Sequence, residues 1–527
     1  MKQIEIFDST LRDGAQSEGI SFSVQDKLNI VKALDNFGVS YIEAGNPGSN
    51  PKDLAFFEQV QKICLKNAKL CAFGSTHRKN VPVEQDANIQ SLLAANTPVV
   101  AIFGKAWNLH VTEILKISAE DNLALVRDTV SYLKEQGKEV IFDAEHFFDG
   151  YKEKKEYALQ VLQAAADGGA DCLCLCDTNG GALPNEIFSA VSEVSRRFSS
   201  KKIAIHCHDD IGCAVASSML AVEAGASQVQ GTFIGFGERC GNADLSVIIP
   251  NLRLKYRMDC DGNLPLLSKT AVKIAEISNI PLRSNKPYIG RSAFAHKGGM
   301  HIDGVQKISR SFEHVDPEQV GNERKFLMSE VSGRTTVLAK IKDYAPDLTK
   351  DSPQTALIVE KLKELEHFGY QFEAADASFE ILVKKLLGHF TPHFNLVLYK
   401  TTGEFPAPDG KMQSSAMIQI KVDGKAETTA SVGNGPVNAL DLALRKALMV
   451  FYPELKRIHL TDYKVRVFDT GQATGAKVRV LIESTDGTEV WTTVGVSTDI
   501  IEASWNALVD SIEYKLTKLD EEMKTKE

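Results

Sequence analysis

Eight short apolar runs, the helical segments between them and a rim of polar residues after the runs predict an α/β fold. Residues 1–270 are expected to form a (β/α)8 TIM barrel, 271–391 helical linker subdomains, and 392–527 a C-terminal α+β domain. The runs are Ile4–Phe7, Tyr41–Ala44, Leu70–Phe73, Val99–Phe103, Val140–Phe142, Cys172–Cys176, Ile203–Ile205 and Val229–Thr232. They start roughly 25 to 40 residues apart, the length of one strand, one helix and two loops. Between them, Val24–Phe37 and Asn122–Leu133 place apolar residues at i, i+3, i+4 and i+7, the helical period. Gly38, Gly137, Gly168 and Gly225 stand at or near the helix ends, where a left-handed cap or turn is wanted. A doubly wound open sheet is the alternative, but it more commonly has five to seven strands.

A (β/α)8 barrel gathers its chemistry at the C-terminal ends of the strands. Arg12 and Asp13 follow the first run, and Glu43 stands in the second. Glu145 follows the fifth, and Asp177, Thr178 and Asn179 the sixth. His206 and His208 end the seventh, and Glu238 and Asn242 follow the eighth. Solubility alone does not require carboxylates, imidazoles and amides at one rim.

Composition narrows the class. The 527 residues are 43% hydrophobic and 24% charged, as in soluble globular proteins. A formal net charge of -9 argues against nucleic acid or an anionic membrane as partner. No apolar run reaches the roughly 18 residues that cross a bilayer. The N-terminus reads directly into strand chemistry without a signal-peptide core, so a cytoplasmic location is expected. The nine cysteines include no CxxC pair, which fits a reducing compartment. Cys172, Cys174 and Cys176 alternate along one strand and share one face, either as a metal site or as small buried hydrophobes.

His206 and His208 are an i, i+2 pair at a strand end, so both imidazoles point to one side. Such a pair also fits two hydrogen-bonded loop histidines. Asp209 and Asp210 follow, available to orient the rings. Asp13 would complete a two-histidine, one-carboxylate face, and Asn242 could add a neutral oxygen. Mixed nitrogen and oxygen ligands with an open position suit a catalytic Mn, Mg, Zn or Fe(II) ion.

LRDGAQ (11–16) with Lys27 further on, IAIHCHDDIGCAVA (203–216) and GFGERCGNADLSVIIPNL (235–252) resemble the signatures of the α-isopropylmalate, homocitrate and citramalate synthase family. The resemblance extends over essentially the whole chain. It implies condensation of acetyl-CoA with a 2-oxo acid, followed by thioester hydrolysis. Asp13, His206, His208 and Asn242 would hold a divalent metal ion that chelates the oxo acid. Arg12 would pair with the substrate carboxylate and developing alkoxide, and Thr178 would donate a hydrogen bond to the same carboxylate. Glu145 would take a methyl proton from acetyl-CoA. SAFAHKGGMHIDGVQK (292–307) matches the family's post-barrel segment. There His301 and Asp303 correspond to a His-x-Asp pair assisting enolisation or hydrolysis, with His296 a second candidate. Where relatives commonly carry a tyrosine, this chain has Phe312.

YIEAGNPGSNPKD (41–53), EHFFDG (145–150) and FEHVDPEQVGNERK (312–325) resemble the citramalate branch, which implies pyruvate as the oxo acid. Asn46 departs from the aromatic of that branch. Isopropylmalate or homocitrate synthesis with another oxo acid is the alternative, and a catalytically silent amino-acid sensor is a third reading. Lyase relatives are disfavoured, because the loop after the eighth run reads GERCGNAD rather than a Gly-Gly-Cys-Pro type.

Thr355–Phe368 reads as an amphipathic helix of the linker. Beyond about residue 392, TTASVGNGPVNALDLAL (428–444) and TTVGVSTDIIEASWNALVDSI (492–512) form a faint internal repeat. Each half has a Thr-Thr strand and a helix carrying Asn-Ala-Leu, which predicts a pseudo-two-fold β/α domain suited to pairing in a homodimer. GNGPV (433–437) and DTGQATGAKVRVLIES (469–484) resemble the allosteric domain of the leucine-biosynthesis synthases. The implied effector is an end-product amino acid, here isoleucine.

Overall fold

The computed structural model describes residues 3–49, 51–327, 334–341, 345–403, 414–468, 475–487 and 489–526. The chain divides into two compact units, the first comprising Met1–Ala295 with Glu313–Arg324 and the second His296–Phe312 with Lys325–Glu527.

In the first unit the strands are β1 (Glu5–Asp8), β2 (Tyr41–Glu43), β3 (Lys69–Ser75), β4 (Val99–Lys105), β5 (Glu139–Glu145), β6 (Cys172–Asp177), β7 (Lys202–Cys207) and β8 (Gln228–Gly231). Each pairs in parallel with the next, and β8 returns to β1 with Glu5 opposite Gln228 and Asp8 opposite Gly231, closing the barrel. Helices α1 (Val24–Phe37), α2 (Pro51–Val60), α3 (Ala87–Ala94), α4 (Ala119–Glu135), α5 (Phe147–Asp167), α6 (Pro184–Arg197) and α7 (Ala214–Glu223) fill the crossovers, and α8 (Leu245–Pro250) and α9 (Leu267–Ile277) follow. The helix ends follow local chemistry. Ser23 and Asp26 form a capping box at α1, which Gly38 terminates at φ 95°. The glycine turn expected after α5 falls at Gly169 (φ 96°), whereas Gly168 stays right-handed.

Alternation along β6 divides its side chains between two cores. Leu173 and Leu175 join the layer between sheet and helices. Cys172, Cys174 and Cys176 point into the barrel with Phe7, Tyr41, Val99 and Ile141.

Asp8 ends β1 fully buried. Its Oδ1 accepts the Thr10 amide at 2.9 Å, while Oδ2 has no hydrogen-bond partner among the described residues. Burial, reinforced by the charge of Glu43, pushes its carboxyl up to about 7. A carboxyl raised on folding adds stability at acid pH that is lost as pH rises through its folded value. Asp8→Asn is therefore expected to flatten the fall in stability between about pH 4 and about pH 7, a slope of up to about 1.4 kcal/mol per pH unit in urea unfolding. Equal pH dependence in both proteins would contradict this account of Asp8.

The second unit carries α10 (Gly299–Lys307), α11 (Arg334–Ile341), α12 (Pro353–Phe368) and α13 (Asp376–Leu386); the short strands β9 (Ala295–His296) and β10 (Lys325–Phe326) pair in a small sheet. Two three-stranded antiparallel sheets follow, each ending in a helix. They are β11 (Asn395–Gly403), β12 (Ser414–Val422), β13 (Lys425–Gly433) and α14 (Pro436–Leu448), then β14 (His459–Phe468), β15 (Lys477–Thr485), β16 (Val490–Ser497) and α15 (Ile500–Lys526). The internal repeat of the sequence is thus a repeat of structure. The second threonine of each Thr-Thr pair donates to its helix, Thr429 to the Ala443 carbonyl and Thr493 to the Ala507 carbonyl. Gly495 permits close approach of β16 to α15, since a Cβ there would lie 2.0 Å from the Ala503 carbonyl oxygen. Residues 469–474 of the glycine-rich stretch lie outside the described residues. Among the described residues no helix is long and apolar enough to cross a membrane.

Candidate metal centre and substrate cavity

Asp13 follows β1, His206 lies on β7 and His208 just beyond it. Their ligand atoms come within 4.8 Å of one another, and all three residues are buried. Asp13 Oδ2 stands 3.3 Å from His206 Nε2 and 3.7 Å from His208 Nε2. The loop after β8 folds back so that Asn242 bridges to His208, and its Nδ2 donates to Asp13 Oδ1 at 3.2 Å. Asn242 Oδ1 is buried without a hydrogen-bond partner among the described residues. A carboxylate, two imidazoles and an orphaned amide oxygen converging on one point fit a divalent cation. Burial, then the charge of His206, pushes His208 down to about 4, leaving the neutral ring a metal ligand needs. Burial alone would raise Asp13, but Arg12 and His206 hold it well below the usual carboxylate range.

Arg12 is clamped beside this cluster. Its Nε donates to Glu43 Oε2 at 2.7 Å, its Nη1 donates to Asp13 Oδ2 at 2.8 Å, and its guanidinium lies 4.0 Å from the centre of the Phe73 ring. Burial opposes the charge, but Glu43 and Asp13 outweigh it and raise the guanidinium further. With Asp13, His206 and His208, Arg12 lines a cavity of about 330 Å³ whose wall includes Glu145, Thr178 and Arg239. Glu145 ends β5 and pairs with Lys105 Nζ. His146 follows in a left-handed turn (φ 56°) that starts α5, and its amide donates to Thr178 Oγ1 at 2.8 Å. The Thr178 hydroxyl proton thus remains available to a ligand. Arg239 closes the rim by donating to both Asp210 oxygens and to the Thr178 carbonyl.

Residues 3–280 match the HMGL-like family model, 288–369 a homocitrate synthase post-HMGL domain-like model, and 373–516 the LeuA allosteric (dimerisation) domain. The (R)-citramalate synthases of Aquifex aeolicus and Geobacter sulfurreducens are 52% and 49% identical to the chain over 523 residues, 99% of each protein. The chain belongs to the (R)-citramalate synthase family. A 2-isopropylmalate synthase of Methanocaldococcus jannaschii is more distant, 31% identical over 522 residues that cover 98% of this chain and 95% of that one.

The barrel brings together Arg12, Asp13, Glu145, Thr178, His206, His208 and Asn242. His301 and Asp303 stand on α10, in the second unit. His301 stacks on Phe312 with ring centres 4.2 Å apart, and Asp303 pairs with Lys307 at 2.6 Å. The ring at 312 thus supports His301 by stacking without a hydroxyl.

One expectation is corrected. Asp209 and Asp210 do not orient the imidazoles, because Asp209 Oδ1 accepts the Ala214 amide and Asp210 is taken by Arg239. The residue holding His206 is Gln230 on β8, whose Oε1 lies 3.2 Å from His206 Nδ1 while its Nε2 donates to Asp143 Oδ1 at 3.3 Å. That chain places the proton on Nδ1 and turns Nε2 toward Asp13. Gln230→Leu is expected to weaken manganese binding roughly 10–100-fold in a calorimetric titration of the metal-stripped protein. Unchanged affinity would remove Gln230 from the site.

Proposed function

We propose that the protein condenses acetyl-CoA with pyruvate and hydrolyses the thioester, releasing (R)-citramalate and CoA. The observation that carries this reading is full-length similarity to citramalate synthases at 52% identity, joined to the buried Asp13–His206–His208 cluster inside a cavity that also contains Arg12 and Glu145. Asp13, His206, His208 and Asn242 would hold a divalent ion, Mn, Mg or Zn, which when bound supplies Lewis-acid polarisation of the oxo-acid carbonyl. Arg12, fixed by Glu43 and Asp13, pairs with the pyruvate carboxylate and steadies the alkoxide that forms at C2. Thr178 donates its hydroxyl proton to the same carboxylate. Glu145 takes a proton from the acetyl methyl group, and the resulting carbon nucleophile attacks C2 of pyruvate. The alkoxide then takes up a proton. Water adds to the thioester carbonyl and CoA leaves as the thiol, with His301 and Asp303 assigned to proton transfer in enolisation or hydrolysis.

The LeuA-type domain is assigned to pairing in a homodimer and to binding isoleucine as effector, and the enzyme is placed in the cytoplasm. Isoleucine should then lower turnover in a direct titration, and no response would remove it as effector. The substrate is tested by measuring CoA release from acetyl-CoA with pyruvate, 2-oxoisovalerate and 2-oxoglutarate. Pyruvate should be preferred by roughly tenfold or more, the discrimination that one or two methylenes supply. Faster turnover with either other acid would overturn the assignment.

A further inference from the structure

Next to the Asp13–His206–His208 cluster lies a second set of candidate ligands that the condensation does not use. Asp143 on β5 sits directly opposite Cys174 on β6, and Cys176 follows two residues on. All three are buried, with ligand atoms within 4.8 Å of one another. The two Sγ atoms are 4.0 Å apart, close to the roughly 3.8 Å that a tetrahedral ion with 2.3 Å sulfur bonds requires. Asp143 and Cys176 also line the cavity that contains Asp13 and His206, so a cation admitted there meets both sets. We propose that Asp143, Cys174 and Cys176 form a second cation site, selective for thiophilic divalent ions such as zinc or cadmium, whose occupancy inhibits turnover.

Selectivity follows from the donors. Two sulfurs and one carboxylate favour a soft ion, whereas the Asp13 set offers only nitrogen and oxygen. Magnesium, a hard ion, does not displace the proton of a thiol, while zinc or cadmium can. Binding releases one proton from each thiol and leaves the ion on two thiolates and a carboxylate, with no change of oxidation state. Inhibition follows from position. A cation on Asp143 withdraws the carboxylate that Gln230 bonds, and Gln230 is what holds His206.

The test is zinc X-ray absorption of the metal-stripped full-length protein at two equivalents of zinc per chain. The expected spectrum has a sulfur shell at about 2.3 Å averaging one sulfur per zinc. That shell should vanish in Cys174→Ala/Cys176→Ala and persist in Cys64→Ser/Cys213→Ser/Cys240→Ser, which removes the less buried thiols. A spectrum of nitrogen and oxygen only, a shell that survives the first variant, or one lost in the second overturns the site. Since the second variant leaves the interior strand intact, it decides even where the first fails to fold. Zinc added to magnesium-saturated wild-type enzyme should lower turnover as the sulfur site fills, and constant turnover at full occupancy overturns the inhibitory role.

Discussion

Asp13→Ala is expected to lower CoA release by about 10³-fold or more, a loss of several kcal/mol of transition-state stabilisation. Asp13 is the only anion of the proposed ligand set, and it also accepts from Arg12 and Asn242. Without it, two imidazoles and an amide remain to face a dication beside a guanidinium that keeps only Glu43 as its charge partner. Metal affinity and the position of Arg12 should therefore fail together. Asp13→Asn separates charge from shape, since it fills the same space without the negative charge. Circular dichroism, bound metal measured by mass spectrometry and CoA release from both variants check the argument. Wild-type turnover in folded Asp13→Asn with bound metal would refute the ligand assignment.

Glu145→Gln should reduce kcat by about 10²–10⁴-fold, the range for loss of a positioned general base, with little change in bound metal. Glu145 is on the cavity wall but outside the ligand cluster, and its charge partner is Lys105. The sensitive measurement is exchange of the acetyl-CoA methyl protons with deuterated water in the presence of a non-condensing pyruvate analogue. Exchange should be lost in Glu145→Gln. If it persists while condensation fails, the base lies elsewhere and His301 becomes the candidate.

These effects depend on features that are unequally legible in the sequence. The barrel is legible because its eight strands are buried on both sides and read as short apolar runs at regular spacing. Arg12, Asp13, His206 and His208 are legible because polar residues at strand ends interrupt those runs. Gln230 is not, because its role arises from register. It pairs with His206 across β7 and β8, a relation that no local pattern encodes. Asp209 and Asp210 misled for the opposite reason, since adjacency in sequence placed them beside the rings while the α7 amide and Arg239 claimed their oxygens. Lys105 and Arg239 are equally hidden, since Lys105 on β4 meets Glu145 on β5 and Arg239 meets Asp210 on the loop after β7. The C-terminal repeat is legible through Thr-Thr because the second threonine bonds the following helix in each half, at Ala443 and at Ala507, whereas the two Asn-Ala-Leu stretches stand at different offsets and only the second contains the acceptor.

The most direct test of the metal-centred condensation is to strip the wild-type enzyme with a chelator and follow CoA release from acetyl-CoA and pyruvate as manganese or magnesium is returned. The account predicts a folded, inactive protein that regains activity in proportion to one bound ion per chain. It also predicts that His206→Ala/His208→Ala neither binds that ion nor recovers. Full CoA release from the metal-free wild-type enzyme would contradict it.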